Sequence, residues 1–169
     1  VSALRTAEKH GYDAVQLAFE KPRHSINKPQ RGYFRKNNQE VYKVLKEFRT
    51  APGAYQLGHI VSVDLFKKNE SVNVRGWSKG KGFQGTVKRH HFNRGPMTHG
   101  SKFHRIPGSS GSGTCPGTIK KGRRRAGHLG FEQVCIKNMR VVDVLTDQQI
   151  VLLKGAVPGP VGNLVWIEG

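Results

Sequence analysis

Residues Gly76 to Gly80 read Gly-Trp-Ser-Lys-Gly, a G-x-S-x-G pentad of the kind that sets a nucleophilic serine on a sharp strand-to-helix turn in hydrolases. That chemistry needs a helix after the serine, and an acid and a histidine to carry its proton. Gly80, Lys81 and Gly82 make a poor helix start, and no carboxylate stands near in sequence. The same stretch approaches the phosphate loop G-x-x-x-x-G-K-[ST]. Only three residues separate Gly76 from Gly80, however, and Gly82 follows the lysine, so no hydroxyl is placed to hold magnesium. What survives is phosphate chemistry of a simpler kind, from exposed backbone N–H groups and lysines.

His90, His91, His99, His104 and His128, with Cys115 and Cys135, raise the question of zinc. Structural zinc sites use paired ligands such as C-x-x-C, and these spacings contain no such pair. Histidines set among Arg and Lys suit base stacking or phosphate oxygens better. Lys120, Lys121, Arg123, Arg124 and Arg125 form the densest cluster of cations. Arginine grips phosphate with a two-pronged fork and lysine acts as a point charge. Trp77, Phe83, Phe92 and Phe103 are interleaved with these charges, either to stack on bases or to anchor the segment on a core.

The chain has 29 Lys plus Arg against 11 Asp plus Glu among 169 residues, a formal charge of +18. Such an excess calls for a polyanion, with nucleic acid ahead of an anionic membrane surface. No apolar run approaches a membrane span, and the basic stretch has no apolar helical stripe. Two cysteines do not make a disulfide framework, which fits a reducing compartment. The charge is concentrated: Glu70 and Glu132 enclose a tract without a single acid.

On either side of the tract the pattern is globular. Ser2 is placed to cap a helix to His10 that Gly11 stops, and residues 13–20 read as a strand. Val41, Val44, Leu45 and Phe48 lie at helical spacing behind an Asn38 cap, predicting a helix over 37–48. Residues 55–66 and 70–77 alternate as strands. So do 132–145, 150–155 and 163–167, with turns at Thr146–Gln149 and in the Gly/Pro run 155–162. Short strands flanking an interruption predict a mainly β fold, a small antiparallel barrel or sandwich. The interruption, Lys79 to Gly130, is poor in aliphatics and broken by glycine. It cannot fold around a core of its own, so order in it implies an outside scaffold such as phosphate backbone.

"GWSKGKGFQGTVKRHHFNRGPMTHGSKFHRIPGSSG", then "PGTIKKGRRRAGHLG", then "VLLKGAVPGPVGNLVWI" closely resemble the universal large-subunit ribosomal protein three family, of bacterial or organellar type. The resemblance covers about residues 13–167 and is strongest from Ser78 to Gly130. It implies a six-stranded translation-protein-type β-barrel with short helices and a long irregular extension that penetrates rRNA. The division implied is 1–78 for the first part of the barrel with a helical insertion, 79–130 for the extension, and 131–169 for the strands completing the barrel. It implies a structural constituent of the large subunit that supports early assembly, with no catalytic residue, cofactor or metal. Its partners are large-subunit rRNA and neighbouring ribosomal proteins, and neither a membrane nor a small-molecule substrate. The rRNA-binding set carried over is Lys79, Lys81, Lys88, Arg89, His90, His91, Arg94, His99, Lys102, His104, Arg105, Lys120, Lys121, Arg123, Arg124, Arg125 and His128. The tip expected near the peptidyl-transferase centre is Gly108, Ser109, Ser110, Gly111, Ser112, Gly113 and Thr114, where Gly111 and Gly113 are candidates for positive φ.

Two features depart from the family. An opening strand with an L-G-x-K-x-G-M-T pattern is missing, which would leave the barrel incomplete. The tip lacks the glutamine that some bacterial members methylate, so that modification is not expected. The wording of "RGPMTHGSKFHR" suggests a plastid ribosome, with bacterial cytoplasm and mitochondrial matrix as alternatives. The competing function is a free-standing basic RNA chaperone or translation factor with a related barrel.

Overall fold

A computed structural model describes all 169 residues. It divides into two compact units, one of Val1–Leu65 with the turn Thr146–Gln149, the other of Phe66–Leu145 with Ile150–Gly169. The fold is mainly β, with few and short helices.

In the first unit, β1 (Ala3–Arg5), β2 (Ala14–Phe19) and β3 (Val44–Phe48) form an antiparallel sheet with β2 central. The predicted N-terminal helix is shorter than expected. Ser2 is not its cap: it is buried, its hydroxyl donating to Gln16 Oε1 at 2.9 Å. Thr6 precedes the single turn α1 (Ala7–His10), and Gly11 ends it in the left-handed region at φ 79°. A helix over 37–48 does not form, because Val44 to Phe48 pair with β2 from Phe19 to Val15. The helix lies upstream instead, as α2 (Lys28–Lys36). Asn27 caps it by accepting from Gln30 N at 3.1 Å, and Pro29 sits in its first turn, where a missing N–H costs nothing. Residues 55–66 do not form a strand: the chain there makes irregular turns and one 3-10 turn, Val63–Leu65.

The core of this unit is Ala14, Val15 and Phe34, crossed by a polar chain. Gln16 accepts from Ser2 and from Tyr33 Oη (2.5 Å), and donates to Glu47 at 3.1 Å. Glu47 also accepts from Tyr12 Oη at 2.9 Å and Arg5 Nε at 3.2 Å. The Tyr12 hydroxyl, with Arg5 behind it, holds the Glu47 carboxyl below the usual glutamate range despite some desolvation.

In the second unit, β4 (Ser71–Trp77), β7 (Gln133–Leu145), β8 (Ile150–Lys154) and β9 (Val165–Glu168) form a four-stranded antiparallel sheet in the order β8-β7-β4-β9. Val72, Val74, Met139 and Val141 are its buried core, backed by Phe66, Ile136, Val144, Val151, Leu153, Val165 and Ile167. Burying each of the four core side chains contributes about 1.5–3 kcal/mol. Two register shifts explain why β7 does not alternate simply. Val72 pairs Met139 but Val74 pairs Ile136, so an extra residue bulges on β7, with Asn138 at φ 57° donating its N–H to Asn73 Oδ1. A second shift near Val142 returns Val144 to the core side, opposite Val151.

The expected closed barrel is not formed. β1, β3, β8 and β9 each have a single ladder partner, whereas closure requires two for every strand. The sheets are open.

Candidate nucleic-acid interface

The acid-free tract leaves the sheet of the second unit between Trp77 of β4 and Gln133 of β7, which face each other across the ladder. Its two ends then run side by side. Ser78 N donates to Glu132 O at 2.9 Å, and the Glu132 N–H returns to Ser78 Oγ at 3.2 Å. Lys81 N donates to Leu129 O and Leu129 N to Gly82 O, at 2.9 and 3.0 Å. β5 (Phe83–Gln84) and β6 (Gly127–His128) continue this ribbon. The Trp77 ring stacks on Phe131 at 5.4 Å, closing the base from one side. Gly130 sits at φ 75°, and a Cβ there would drive into the Lys79 carbonyl. Ser78 therefore serves the stem, and the residues after it run as irregular chain, not as the helix a nucleophile elbow requires.

Beyond the stem, side chains of the tract close on its own backbone in three places. On α3 (Thr86–His90), Arg89 Nη1 donates to Arg125 O at 2.9 Å, and His90 Nε2 lies 2.9 Å from the same oxygen. Further out, Gly95 N donates to His104 O at 3.1 Å, while His104 Nδ1 lies 2.9 Å from Pro96 O. At the tip, Arg123 donates to Ser110 O at 2.6 Å and to Ser109 O, and Arg125 reaches Ser110 Oγ. An outside scaffold is thus not the sole source of order, because arginine and histidine supply clasps that glycine-rich backbone lacks.

The predicted contact residues consequently fall into two groups. Arg89, His90, His104, Arg123 and Arg125 are committed to internal carbonyls or hydroxyls. Lys79, Lys81, Lys88, Arg94, Lys102, Arg105, Lys120, Lys121 and Arg124 are exposed, with no carboxylate in the tract to neutralise them. His91, His99 and His128 are exposed as well. The histidines and cysteines do not gather: no three His, Cys, Asp or Glu side chains converge. In the tip, Gly108 and Gly111 adopt positive φ (80° and 124°), and Gly113 does not.

Of the interleaved aromatics, Trp77 is an anchor, Phe92 lies beside His90 at 6.0 Å, and Phe83 and Phe103 are open. Sequence reading passed over Phe131, the partner of Trp77, and the exposed Met97, Ile106 and Ile119. Apolar side chains displayed among unpaired cations suit a partner with flat apolar faces and phosphates, which is the surface of folded single-stranded and looped RNA.

An open β-sheet protein with a long, carboxylate-free, basic hairpin has the charge pattern that suits a polyanionic partner. Residues 38–149 match the family described as "Ribosomal protein L3". Among relatives, "Large ribosomal subunit protein uL3" of Thermotoga maritima is 48% identical over 165 residues, covering 97% of this chain and 79% of that protein. "Large ribosomal subunit protein uL3c" of Gracilaria tenuistipitata is 41% identical over 169 residues, covering 99% and 82%. The uL3 of Gloeothece citriformis is 44% identical over 169 residues, covering 99% and 80%. The chain belongs to the ribosomal protein L3 family.

Proposed function

We propose that this protein is a structural constituent of the large ribosomal subunit and that the tract Lys79–Gly130 is its rRNA-binding extension. Family membership supports the first statement, and the relatives named above all carry large-subunit names. None of the relatives named above is named as a chaperone or translation factor. The observation that carries the second is a tract closed at its stem by backbone hydrogen bonds, with nine exposed cations that are not committed to internal partners and no acid. Its exposed lysines and arginines neutralise phosphates, while the internally committed arginines hold the backbone on course.

In the same reading the tip Gly108–Thr114 reaches toward the peptidyl-transferase centre. Early assembly, with neighbouring ribosomal proteins as partners, follows from this role. A bacterial-type ribosome has the relatives of higher identity. The plastid reading is supported by the Gracilaria protein.

The test is a filter-binding titration of large-subunit rRNA across salt, comparing the native chain with K120Q/K121Q/R124Q. Each duplex phosphate contact contributes about −0.9 to the log–log slope. The variant is expected to bind with a slope shallower by about 2–3. An unchanged slope would refute the role of the tract.

A further inference from the structure

A second stretch without acids lies in the first unit. Between Glu20 and Glu40 the only charged residues besides histidine are Lys21, Arg23, Lys28, Arg31, Arg35 and Lys36. Four of these are on α2, which has no acidic residue. At about 100° per residue, Lys28, Arg31 and Arg35 fall within roughly 60° of one another on the helix, and Lys36 flanks them. Tyr33 lies on the opposite side and Phe34 about 90° round from the middle of the cation face. Phe34 is buried, its ring edge-on to Tyr33 at 5.3 Å and tilted against Tyr42 at 6.1 Å, and Tyr33 donates to Gln16. Packing thus fixes which way the cations point. All four are exposed.

Neighbouring carboxylates do not neutralise them. Glu20 pairs with Lys43 at 2.9 Å, Glu40 with Lys21 at 2.8 Å and Glu47 with Arg5 at 3.2 Å. Asp13 accepts from Ala7 N, and Asp64 from Ser62. Three cations in a row, about 10 Å from end to end, face solvent without a counter-charge.

We infer that the Lys28–Arg31–Arg35 face of α2 is a second RNA-binding surface, gripping the phosphates of a duplex independently of the extension. The partner is RNA and not a lipid surface because no apolar side chain accompanies the cations on that face; the apolar side of α2 is spent on the core. A membrane-surface helix needs the reverse arrangement. The choice of RNA rests on the function proposed above.

The test uses the full chain and an RNA duplex of about 20 base pairs, long enough to cover one face, titrated across salt. K28Q/R31Q/R35Q keeps helix propensity and removes three charges. It is compared with K120Q/K121Q/R124Q and with K9Q/K137Q/K154Q, which removes three exposed cations elsewhere. Circular dichroism checks that each variant retains its fold. The α2 variant is expected to bind with a slope shallower by about 2–3, against a change below about 1 for the K9Q/K137Q/K154Q control. R31K/R35K, which keeps the charge, should retain the native slope. An α2 slope no shallower than the control's overturns the inference. So does loss of binding to phosphatidylglycerol vesicles with the RNA slope intact. A sensitive α2 variant beside an insensitive extension variant would overturn the role of the tract and leave that of α2.

Discussion

Replacing Gly130 with alanine tests whether the stem is what directs the extension. The residue sits at φ 75°, and its added Cβ would lie 3.1 Å from the Lys79 carbonyl carbon and closer still to the oxygen. Left-handed backbone costs an alanine about 1–2 kcal/mol. The clash cannot be relieved by rotating a side chain, since the obstacle is backbone, so the two strands of the stem must separate. That loses the hydrogen bonds from Lys81 N and Leu129 N, at about 1 kcal/mol each. The combined cost is about 3–4 kcal/mol, which lowers amide protection by about two to three orders of magnitude when opening is local. Hydrogen exchange read by NMR on the Lys81 and Leu129 amides should show this loss, while the sheet amides of Val74 and Val141 keep their protection. Gly111→Ala is the control. Gly111 also has positive φ, but an added Cβ there meets nothing closer than Arg123 Nη1 at 3.8 Å. It should leave the stem amides unchanged. Native protection at Lys81 and Leu129 in Gly130→Ala would refute the reasoning. So would an equal loss at Val74 and Val141, which would make the stem part of the sheet's own cooperative unit.

Arg123→Lys keeps the charge and loses the fork that holds Ser109 and Ser110. Limited proteolysis should cut between Gly108 and Thr114 about tenfold faster, as for loss of about 1.4 kcal/mol of local order, with the RNA salt slope held within about 1 of native. Equal cutting rates would remove the clasp from the account. For Glu47, the folded carboxyl is held below its ordinary value, so its stabilisation is complete above the unfolded value of about 4.3 and is lost as pH falls through the folded one. The difference in urea midpoint between the native chain and Glu47→Gln should therefore be constant from pH 7 to about 5 and shrink below that. A constant difference down to pH 3 would contradict the depressed carboxyl.

The strands of the second unit were legible because each has one buried face. Val72 and Val74 alternate with Asn73 and Arg75 and need no knowledge of their partners. The phase change within β7 was not legible, since the bulges at Asn138 and Val142 depend on the strands opposite. The first unit misled for a related reason. Val41, Val44, Leu45 and Phe48 satisfy a helical period, yet β2 offers Val44 to Phe48 a ladder, and pairing outweighs propensity over five residues. The real helix had signals that were passed over, Asn27 as cap and Pro29 in the first turn, obscured by Gly32 in its middle. In the tract, the types of residue point to phosphate as a class of chemistry. Their spacing gave no sign that Arg89, Arg123 and Arg125 reach back to the chain, because those contacts join residues 13 to 36 positions apart through irregular backbone.

The strand order β8-β7-β4-β9 sets a timetable for synthesis. β4 lies in the middle of its sheet, but both of its neighbours are encoded after the basic tract. Val72 and Val74 emerge long before Val141, so for several seconds of elongation, at about 5–20 residues per second, they have nothing to pack against. During that interval β1, β2 and β3 are already complete and free to pair. The whole tract from Lys79 to Gly130 is also translated while the sheet that will frame it is still unfinished. The most polyanion-seeking part of the chain therefore meets the surrounding solution before its own scaffold has closed. A nascent chain of this protein displays its excess of positive charge before the strands that frame it are in place.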